Sequence, residues 1–308
     1  MNINIFDKNK IPTILITGKN GQVGWELQRS LQSLGNVIAV NRERMDLSDS
    51  ENVTSVIREI KPDIIVNAAA YTAVDKAEED QELAYQINAF SPGVMAEEAK
   101  KIDALLIHYS TDYVFNGEKD SPYNETDTPD PINVYGASKL AGEEAIKESG
   151  CQYLILRTSW VFSSRGHNFL LSMLKFARER EQLRIVADQV GTPTSASFIA
   201  SATSLIICKI RTRAQNEFSS GIYNLVSTGK TSWHGFATSI IKMASEILPD
   251  IKILTKEITA IQTTDYPLPA KRPMNSVLSV KNIEKEFGIY PPDWHKQMKL
   301  CLEEIMPS

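Results

Sequence analysis

The feature that most constrains the fold is a strand, a glycine loop and a helix that follow one another near the N-terminus. Residues 13–16 form a short apolar run, glycines follow at Gly18, Gly21 and Gly24, and an amphipathic pattern begins after them. Glycine allows a tight turn from strand into helix and a close approach of backbone to phosphate. The helix start offers amide groups and a partial positive charge to an anion. The arrangement predicts a dinucleotide site, with an ordinary glycine-rich turn as the alternative.

The first half of the chain alternates short apolar runs with helical patterns. Runs that are apolar throughout are typical of strands buried on both faces. Strands that alternate with helices form a parallel sheet covered by helices on both faces. We therefore predict an α/β fold with a Rossmann-type, doubly wound parallel sheet. Its predicted strands are residues 13–16, 37–40, 64–67, 105–108 and 153–156, the last following a helix at about 134–148.

A smaller C-terminal lobe is predicted where this alternation ends, after residue 158. Residues 266–273 carry three prolines, which exclude a regular helix or central strand and indicate a loop in the wall of a substrate cleft. The predicted dinucleotide-binding domain comprises residues 1–158, with about 196–226 returning to it. The predicted substrate lobe comprises about 159–195 and 227–308.

The composition excludes several classes of protein. With 42% hydrophobic and 23% charged residues, the 308-residue chain is globular rather than disordered. The net charge of -5 argues against a nucleic-acid partner, since counterion release needs clustered cations. Three well-separated cysteines fit reduced core thiols, so no metal site is predicted. No apolar run is long enough to span a bilayer and the N-terminus lacks a signal-peptide pattern, so we expect no membrane partner and a cytoplasmic location.

Tyr135 and Lys139 form the predicted catalytic pair. They are four residues apart in a predicted helix and therefore lie on the same face of it. A nearby ammonium favours the phenolate and is expected to lower the phenol pKa, so that the pair can exchange a proton with a carbonyl oxygen. The spacing alone arises by chance in a chain of this length. Its position is informative, since the helix follows a strand that ends in Ser110, Thr111 and Asp112, where open α/β sheets bind ligands.

The end of the second predicted strand bears on the choice of cofactor. An acidic residue there usually accepts hydrogen bonds from the ribose of NAD, but this chain has Asn41 followed by Arg42 and Arg44. A neutral amide and two cations favour the extra phosphate of NADPH over NADH, although the arginines could simply face solvent. Asp46 and Leu47 are expected on the adenine side.

These motifs resemble the extended short-chain dehydrogenase/reductase family. They are the glycine loop, the run 67–70, the strand end 110–112 and the pair Tyr135-x-x-x-Lys139. Within the family, five segments closely resemble the reductases of dTDP-linked 4-dehydro sugars: residues 21–27, 73–78, 110–115, 157–161 and 272–276. The resemblance implies reduction of the C4 ketone of dTDP-4-dehydro-L-rhamnose to dTDP-L-rhamnose with NADPH or NADH, which supplies L-rhamnose for cell-surface polysaccharide.

The resemblance also implies a role for each site residue. Tyr135 donates a proton to the C4 ketone, Lys139 tunes it and holds the nicotinamide ribose, and Thr111 binds the carbonyl oxygen. Asp112 and Trp160 contact the sugar. The residues implied to hold the rest of the cofactor are Gly21, Gln22, Val23, Ala70, Tyr71, Thr72 and Tyr109. We add Arg272 as a candidate for the diphosphate of the substrate, because a guanidinium matches phosphate oxygens in a fork geometry.

The sequence is also compatible with two other functions. Related dehydratases carry an Asp-Glu pair at the end of the fourth strand, whereas here Asp112 precedes Tyr113, which favours net reduction over elimination. Another epimerase or dehydratase of nucleotide sugars is one alternative. A non-catalytic nucleotide-binding subunit, resembling the regulatory subunit of methionine adenosyltransferase, is the other. The sequence leaves open whether the chain is a monomer or a homodimer.

Overall fold

The computed structural model describes residues 10–212, 219–248 and 251–305. The strands are β1 (Thr13–Thr17), β2 (Asn36–Ala39), β3 (Ile64–Asn67), β4 (Leu105–Thr111), β5 (Gln152–Thr158), β6 (Val161–Phe162), β7 (Gln182–Val186), β8 (Val190–Gly191), β9 (Thr194–Ser195), β10 (Gly221–Asn224), β11 (Thr231–Ser232) and β12 (Glu257–Ile261). The helices are α1 (Gln22–Ser30), α2 (Ser50–Ile60), α3 (Val74–Ala77), α4 (Gln81–Tyr85), α5 (Ser91–Lys101), α6 (Val134–Ser149), α7 (Phe169–Glu179), α8 (Ala196–Thr212), α9 (Trp233–Ile247), α10 (Lys281–Phe287) and α11 (Trp294–Glu304).

Within the described residues the main sheet has six parallel strands in the order β10-β5-β4-β3-β1-β2. Helices α1, α8 and α10 contribute to the core on one face, and α2, α5 and α6 contribute to the core on the other. Both cores consist mainly of aliphatic side chains, so burial of apolar surface holds the layers together. The predicted doubly wound α/β sheet is confirmed.

The predicted strands agree with the structure to within a few residues. The central strands β1, β3 and β4 are buried as predicted, while β2 is partly exposed because it lies at an edge of the sheet. Strand β10 was not predicted, since it is only four residues long and mixes polar with apolar side chains. Helix α8 packs against α1 and β10 pairs with β5, so both segments join the sheet.

The remaining segments form a second region of short strand pairs and amphipathic helices. Strand β12 pairs with β7, β11 with β8, and β6 with β9. Helices α7, α9 and α11 pack around a core that includes Phe162, Phe236 and Trp294. Asn168 caps α7 by accepting a hydrogen bond from the amide of Leu171, and Ser232 caps α9 in the same way. Across the described ranges, no helix is long and apolar enough to cross a membrane.

Candidate active site

Helix α6 begins beside the end of β4, and this brings the predicted catalytic residues together. The Asn133 side chain caps the helix by accepting from the amide of Gly136 at 2.8 Å, and it donates to the carbonyl of Lys271 at 2.8 Å. A Cβ at Gly136 would lie 2.1 Å from the carbonyl oxygen of Tyr113, so only glycine permits this approach. The first turn of α6 therefore places Tyr135 beside Thr111.

Tyr135, Thr111 and Asp112 lie together at the carboxyl end of β4. Tyr135 is half-buried, and its hydroxyl lies near the side chain of Thr111. The Thr111 hydroxyl donates to Asp112 Oδ1 at 2.9 Å and accepts from the amide of Tyr113 at 3.2 Å. Burial raises the pKa of Tyr135 to about 12, and the contact with Thr111 opposes that rise. Burial also raises the pKa of Asp112 to about 7.

Lys139 is fully buried one turn further along α6. Its Nζ donates to the carbonyl oxygen of Tyr109 at 2.6 Å and lies 3.0 Å from Nε2 of His108. Burial lowers the pKa of Lys139 to about 7, although the nearby carboxylate of Glu143 favours the ammonium. We expected this lysine to lower the pKa of Tyr135. That expectation is wrong for this structure, because the ammonium faces His108 and burial dominates at the phenol.

A row of buried polar side chains runs from the glycine loop to Lys139, and we name Thr17, Asn67, His108 and Lys139 the polar row. Its first three members are aligned in register on β1, β3 and β4. Thr17 Oγ1 lies 2.6 Å from Asn67 Oδ1, and Asn67 Nδ2 lies 3.0 Å from His108 Nδ1. Burial lowers the pKa of His108 well below its ordinary value, and the charge of Lys139 adds to this effect. His108 is therefore a neutral imidazole.

The polar row can carry its hydrogens in either direction. When the Asn67 amide donates to His108 Nδ1, the hydrogen on Nε2 points at Lys139 and suits a neutral amine. When that amide is turned over, Nδ1 donates to it and Nε2 accepts from a lysine ammonium. Both arrangements pair Asn67 with His108 and His108 with Lys139, so the row accommodates either charge state of Lys139.

The glycine loop joins β1 to α1 and presents amide donors. Gly18 has a φ of +69°, a left-handed conformation that glycine adopts without strain. A Cβ at Gly24 would lie 2.1 Å from the carbonyl oxygen of Gly18, so the first turn of α1 requires glycine there. Gly21 precedes the helix, and in the described part of the chain no side chain caps α1. These amide groups and the helix dipole fit a diphosphate.

The side chain of Gln22 connects this loop to the second region. Its Oε1 accepts from the hydroxyl of Ser163 at 2.9 Å and from Nδ2 of Asn168 at 3.0 Å. Two other predicted cofactor residues also contribute to the cores: Val23 packs on the α1 side of the sheet, and Leu47 is buried on the α2 side.

The end of β2 remains the candidate site for the adenosine end of the cofactor. The exposed guanidinium of Arg42 lies 3.2 Å from Asp46, whose pKa is lowered chiefly by a hydrogen bond from the amide of Ser48. Arg44 pairs instead with Glu59. The Asn41 side chain donates to Glu43 at 3.2 Å. Arg42 is thus held loosely at the surface, while Arg44 is directed toward α2.

The loop after β3 contains Ala70, Tyr71 and Thr72 and is fixed by Asn88. This asparagine lies in a π-helical turn (Gln86–Phe90) between α4 and α5. It accepts from the amide of Tyr71 at 2.9 Å and donates to the carbonyl of Tyr71 and to Ser138, both at 3.0 Å. Such turns often occur at functional sites. Asn88 therefore sets the loop against α6.

Trp160 lies in the second region and is stacked on Trp233. The ring centroids are 3.5 Å apart and the planes differ by 7°. Trp160 has a φ of +43°, which is unusual for a residue with a side chain. A Cβ at Gly191 would lie 2.5 Å from the indole, so this glycine makes room for the ring. The indole pair offers a partly exposed aromatic face.

Arg272 is engaged by the protein. Its guanidinium forms two hydrogen bonds of 2.6 Å with the carboxylate of Asp75, at the start of α3. This bidentate pair lowers the pKa of Asp75. The pair joins the proline-rich loop to the sheet domain. The predicted contact of Arg272 with phosphate therefore requires its guanidinium either to leave Asp75 or to bind both anions.

The comparisons with known proteins agree with this geometry. A sequence model for the RmlD substrate binding domain matches residues 12–306. The chain belongs to the RmlD family. A relative named dTDP-4-dehydrorhamnose reductase from Burkholderia thailandensis is 48% identical over 95% of this chain and 99% of its own length. A relative of the same name from Escherichia coli K12 is 45% identical over 96% of this chain and 98% of its own length.

Solved structures extend the RmlD comparison. A dTDP-4-dehydrorhamnose reductase from Bacillus anthracis in complex with NADP superposes with a TM-score of 0.85 at 33% identity, covering 96% of this chain and 100% of that one. A Thermus thermophilus UDP-glucose 4-epimerase in complex with NAD has a TM-score of 0.78 at 20% identity over 95% and 98%, which shows the shared fold alone.

For this RmlD-family chain, sequence reasoning missed His108, Asn67 and Asn88 as site residues. His108 was treated as part of a strand, although a histidine in an otherwise apolar run is a signal that it has a buried partner. Asn88 could be found only from the loop it contacts. The Tyr109 hydroxyl bonds to Thr203 of α8 at 2.7 Å, so its side chain lies in the core and its carbonyl oxygen contacts Lys139.

Proposed function

We propose that this protein reduces the C4 ketone of dTDP-4-dehydro-L-rhamnose to dTDP-L-rhamnose, with NADPH or NADH as reductant and a preference for NADPH. The observation that carries the proposal is the contact of Tyr135 with Thr111 at the carboxyl end of β4. Membership of the RmlD family supplies the sugar, because the curated relatives are reductases named for it. The product is a donor of L-rhamnose for cell-surface polysaccharide.

We assign the cofactor to the carboxyl edge of the sheet, where a bound reduced nicotinamide supplies the hydride. The uncapped start of α1 supports a diphosphate site, and Arg42 supports a site for the ribose phosphate. The residues we propose for this role are Gly18, Gly21, Gln22, Val23, Gly24, Asn41, Arg42, Asp46, Leu47, Ala70, Tyr71, Thr72, Tyr109, Tyr135 and Lys139. Of these, Tyr109 acts through its backbone, while Val23 and Leu47 shape the floor.

The residues of this chain then complete the reaction at the C4 oxygen. Tyr135 donates a proton to that oxygen, and the hydroxyl of Thr111 donates a hydrogen bond to it. The raised pKa of Tyr135 keeps the phenol protonated at neutral pH, as a proton donor requires. Lys139 holds the nicotinamide ribose from its position below the site and replaces the proton that Tyr135 gives up.

We place the sugar against the indole of Trp160 and its diphosphate near Arg272, with Asp112 at the floor of the site. The indole stack supports this placement because aromatic faces bind the apolar face of a sugar ring. We propose the domain division at residue 158, with 196–226 in the sheet domain. We also propose a cytoplasmic monomer or homodimer, since its cofactor and nucleotide sugar are metabolites of that compartment.

The direct test is loss of reduced-nicotinamide absorbance on mixing the enzyme with dTDP-4-dehydro-L-rhamnose and either NADPH or NADH. We expect consumption of cofactor, dTDP-L-rhamnose by mass spectrometry and a higher kcat/KM with NADPH. dTDP-glucose is the matched control, because it has no ketone and should leave the cofactor unoxidised. Measurable NADPH binding without turnover would favour a different keto-sugar or a regulatory nucleotide-binding protein.

A further inference from the structure

The hydrogen bonds at Thr111 have a direction, and that direction bears on catalysis. A threonine hydroxyl has one hydrogen and two lone pairs. One lone pair accepts from the amide of Tyr113, and the hydrogen goes to Asp112. In this arrangement Thr111 has no hydrogen to give to a substrate, although the phenol of Tyr135 lies beside it. The Thr111 hydroxyl points toward Asp112 and away from the ketone.

Asp112 lies in a buried environment. The residue is 2% exposed, and within the described residues Oδ2 has no hydrogen-bond partner of ordinary geometry. The hydroxyls of Ser276 and Thr111 and the backbone amides of Asp112 and Tyr113 lie near the carboxyl and favour its ionised form. The phenols of Tyr113 and Tyr135 are the titratable groups that face it, and Arg272 with Asp75 lies beyond Tyr113. Burial is the largest effect and favours the neutral acid.

We propose that Asp112 works as a protonated carboxylic acid whose proton turns the hydroxyl of Thr111 toward the substrate ketone. This inference rests on the proposed reductase function and assigns Asp112 a positioning role within it. The neutral acid donates to Thr111 Oγ1, which then keeps its own hydrogen for the C4 oxygen. Ionised Asp112 draws the Thr111 hydrogen back.

The proton on Asp112 is not consumed in a turnover. The C4 carbonyl gains its hydride from the bound cofactor and its proton from Tyr135, while Asp112 remains neutral throughout. Asp112 therefore affects the rate only through the fraction of enzyme in which it is protonated. Its pKa of about 7 places that change within the accessible pH range.

The test is the single-turnover rate of NADPH oxidation from pH 6 to pH 9, with saturating dTDP-4-dehydro-L-rhamnose. The wild-type rate should fall through two ionisations, those of Asp112 and Lys139, whose pKa is also about 7. Asp112→Asn keeps a donor for Thr111 and does not titrate. Between pH 6 and pH 9 the rate of Asp112→Asn should fall by a factor about 10² smaller than that of wild type. This is the usual contribution of one hydrogen-bond donor to a developing oxyanion.

A double-variant comparison separates positioning from packing. Thr111→Val removes the hydroxyl and should reduce the fall in rate by the same factor. Adding Asp112→Asn to Thr111→Val should then change the pH profile no further. An Asp112→Asn profile that matches wild type, or one that shifts equally in the Thr111→Val background, overturns the inference. Wild-type enzyme without turnover would contradict the proposed reductase instead.

A spectroscopic measurement covers the case in which Asp112→Asn does not fold. Wild-type enzyme labelled with ¹³C at aspartate carboxyl carbons can be titrated by NMR in the presence of NADP⁺. One carboxyl should remain protonated up to about pH 7, far above an ordinary aspartate. Titration of every carboxyl in the ordinary acidic range would overturn the inference without any variant.

Discussion

The polar row beneath α6 and the aromatic stack of Trp160 and Trp233 in the second region differ in composition and in role. The row consists of buried polar side chains on three adjacent parallel strands and on α6, joined by hydrogen bonds of 2.6 to 3.0 Å. The stack consists of Trp160, which directly precedes the two-residue strand β6, and Trp233, the first residue of α9. The polar row fixes the positions of hydrogen-bonding groups. The aromatic stack presents an apolar surface.

The difference shows where this fold needs a rigid frame. A proton donor must be placed to within about 0.5 Å of the position that suits its acceptor, and a central parallel sheet holds its side chains with that precision. Contact of a sugar ring with an indole tolerates sliding, because dispersion and apolar burial have little directionality. Variants in the polar row should therefore change kcat and its pH dependence. Variants in the aromatic stack should change KM for the sugar.

The largest effect is expected at the phenol. Tyr135→Phe should lower kcat by about 10² to 10⁴, the usual worth of a placed general acid, while NADPH binding is kept. Tyr113→Phe is the matched control, because its ring contacts that of Tyr135 edge-on at 5.7 Å and should lose far less activity. Steady-state kinetics and NADPH fluorescence titration give both quantities. Equal rates for Tyr135→Phe and wild type would remove this residue from the mechanism.

The polar row can be broken at its centre. His108→Met replaces the neutral acceptor of Lys139 with an apolar chain of similar size, and should lower kcat by about 10- to 100-fold, the cost of an unpaired buried polar group. Losing that acceptor disfavours the ammonium. The pKa of Lys139 should then move below about 7, and the alkaline loss of rate should begin at lower pH.

The conservative variant His108→Gln distinguishes hydrogen bonding from volume. Its amide can accept from Lys139, so a large part of the rate should return and the pH profile should shift back toward wild type. The measurement is kcat against pH for both variants, with thermal unfolding as a check on folding. If both variants behave alike, the row contributes packing alone.

Arg42→Ala tests the surface end of the sheet domain, where side chains are held less firmly than in the row. The guanidinium is exposed and bonded only loosely to Asp46, so it is available to a ribose phosphate. Its loss should raise the Kd of NADPH about 10-fold, the worth of one charge-assisted hydrogen bond, with a smaller change for NADH. Titrating both cofactors provides the internal control. Equal losses would show that Arg42 does not recognise the phosphate.

The aromatic stack should give the smallest effect on the rate. Trp160→Leu should raise KM for the dTDP-sugar by about 2- to 10-fold, the worth of a lost aromatic contact, with little change in kcat. Trp233→Leu is the matched variant, since it removes the supporting ring and leaves the presented one. A large fall in kcat with Trp160→Leu, at unchanged KM, would mean that this region also orients the ketone.

Local pattern predicted the elements of the sheet well, because buried parallel strands read as continuous apolar runs. Strand β3 was placed at the residues the structure gives it. What the pattern could not supply were contacts between distant segments. Arg272 and Asp75 are 197 residues apart, and no local signal joins them. The pKa of Tyr135 was mispredicted for a related reason: proximity on a helix face does not say which way a buried lysine turns.

The alignment of Thr17, Asn67 and His108 across three strands has a consequence for how such a sequence can change. Side chains on a strand alternate between faces, so deleting one residue within β3 would turn Asn67 to the opposite face and leave His108 without its partner. Insertions in the surface loops leave this alignment untouched. Chain-length variation should therefore be tolerated between the strands and not within them, so that the spacing of residues inside β1, β3 and β4 is itself part of the catalytic apparatus.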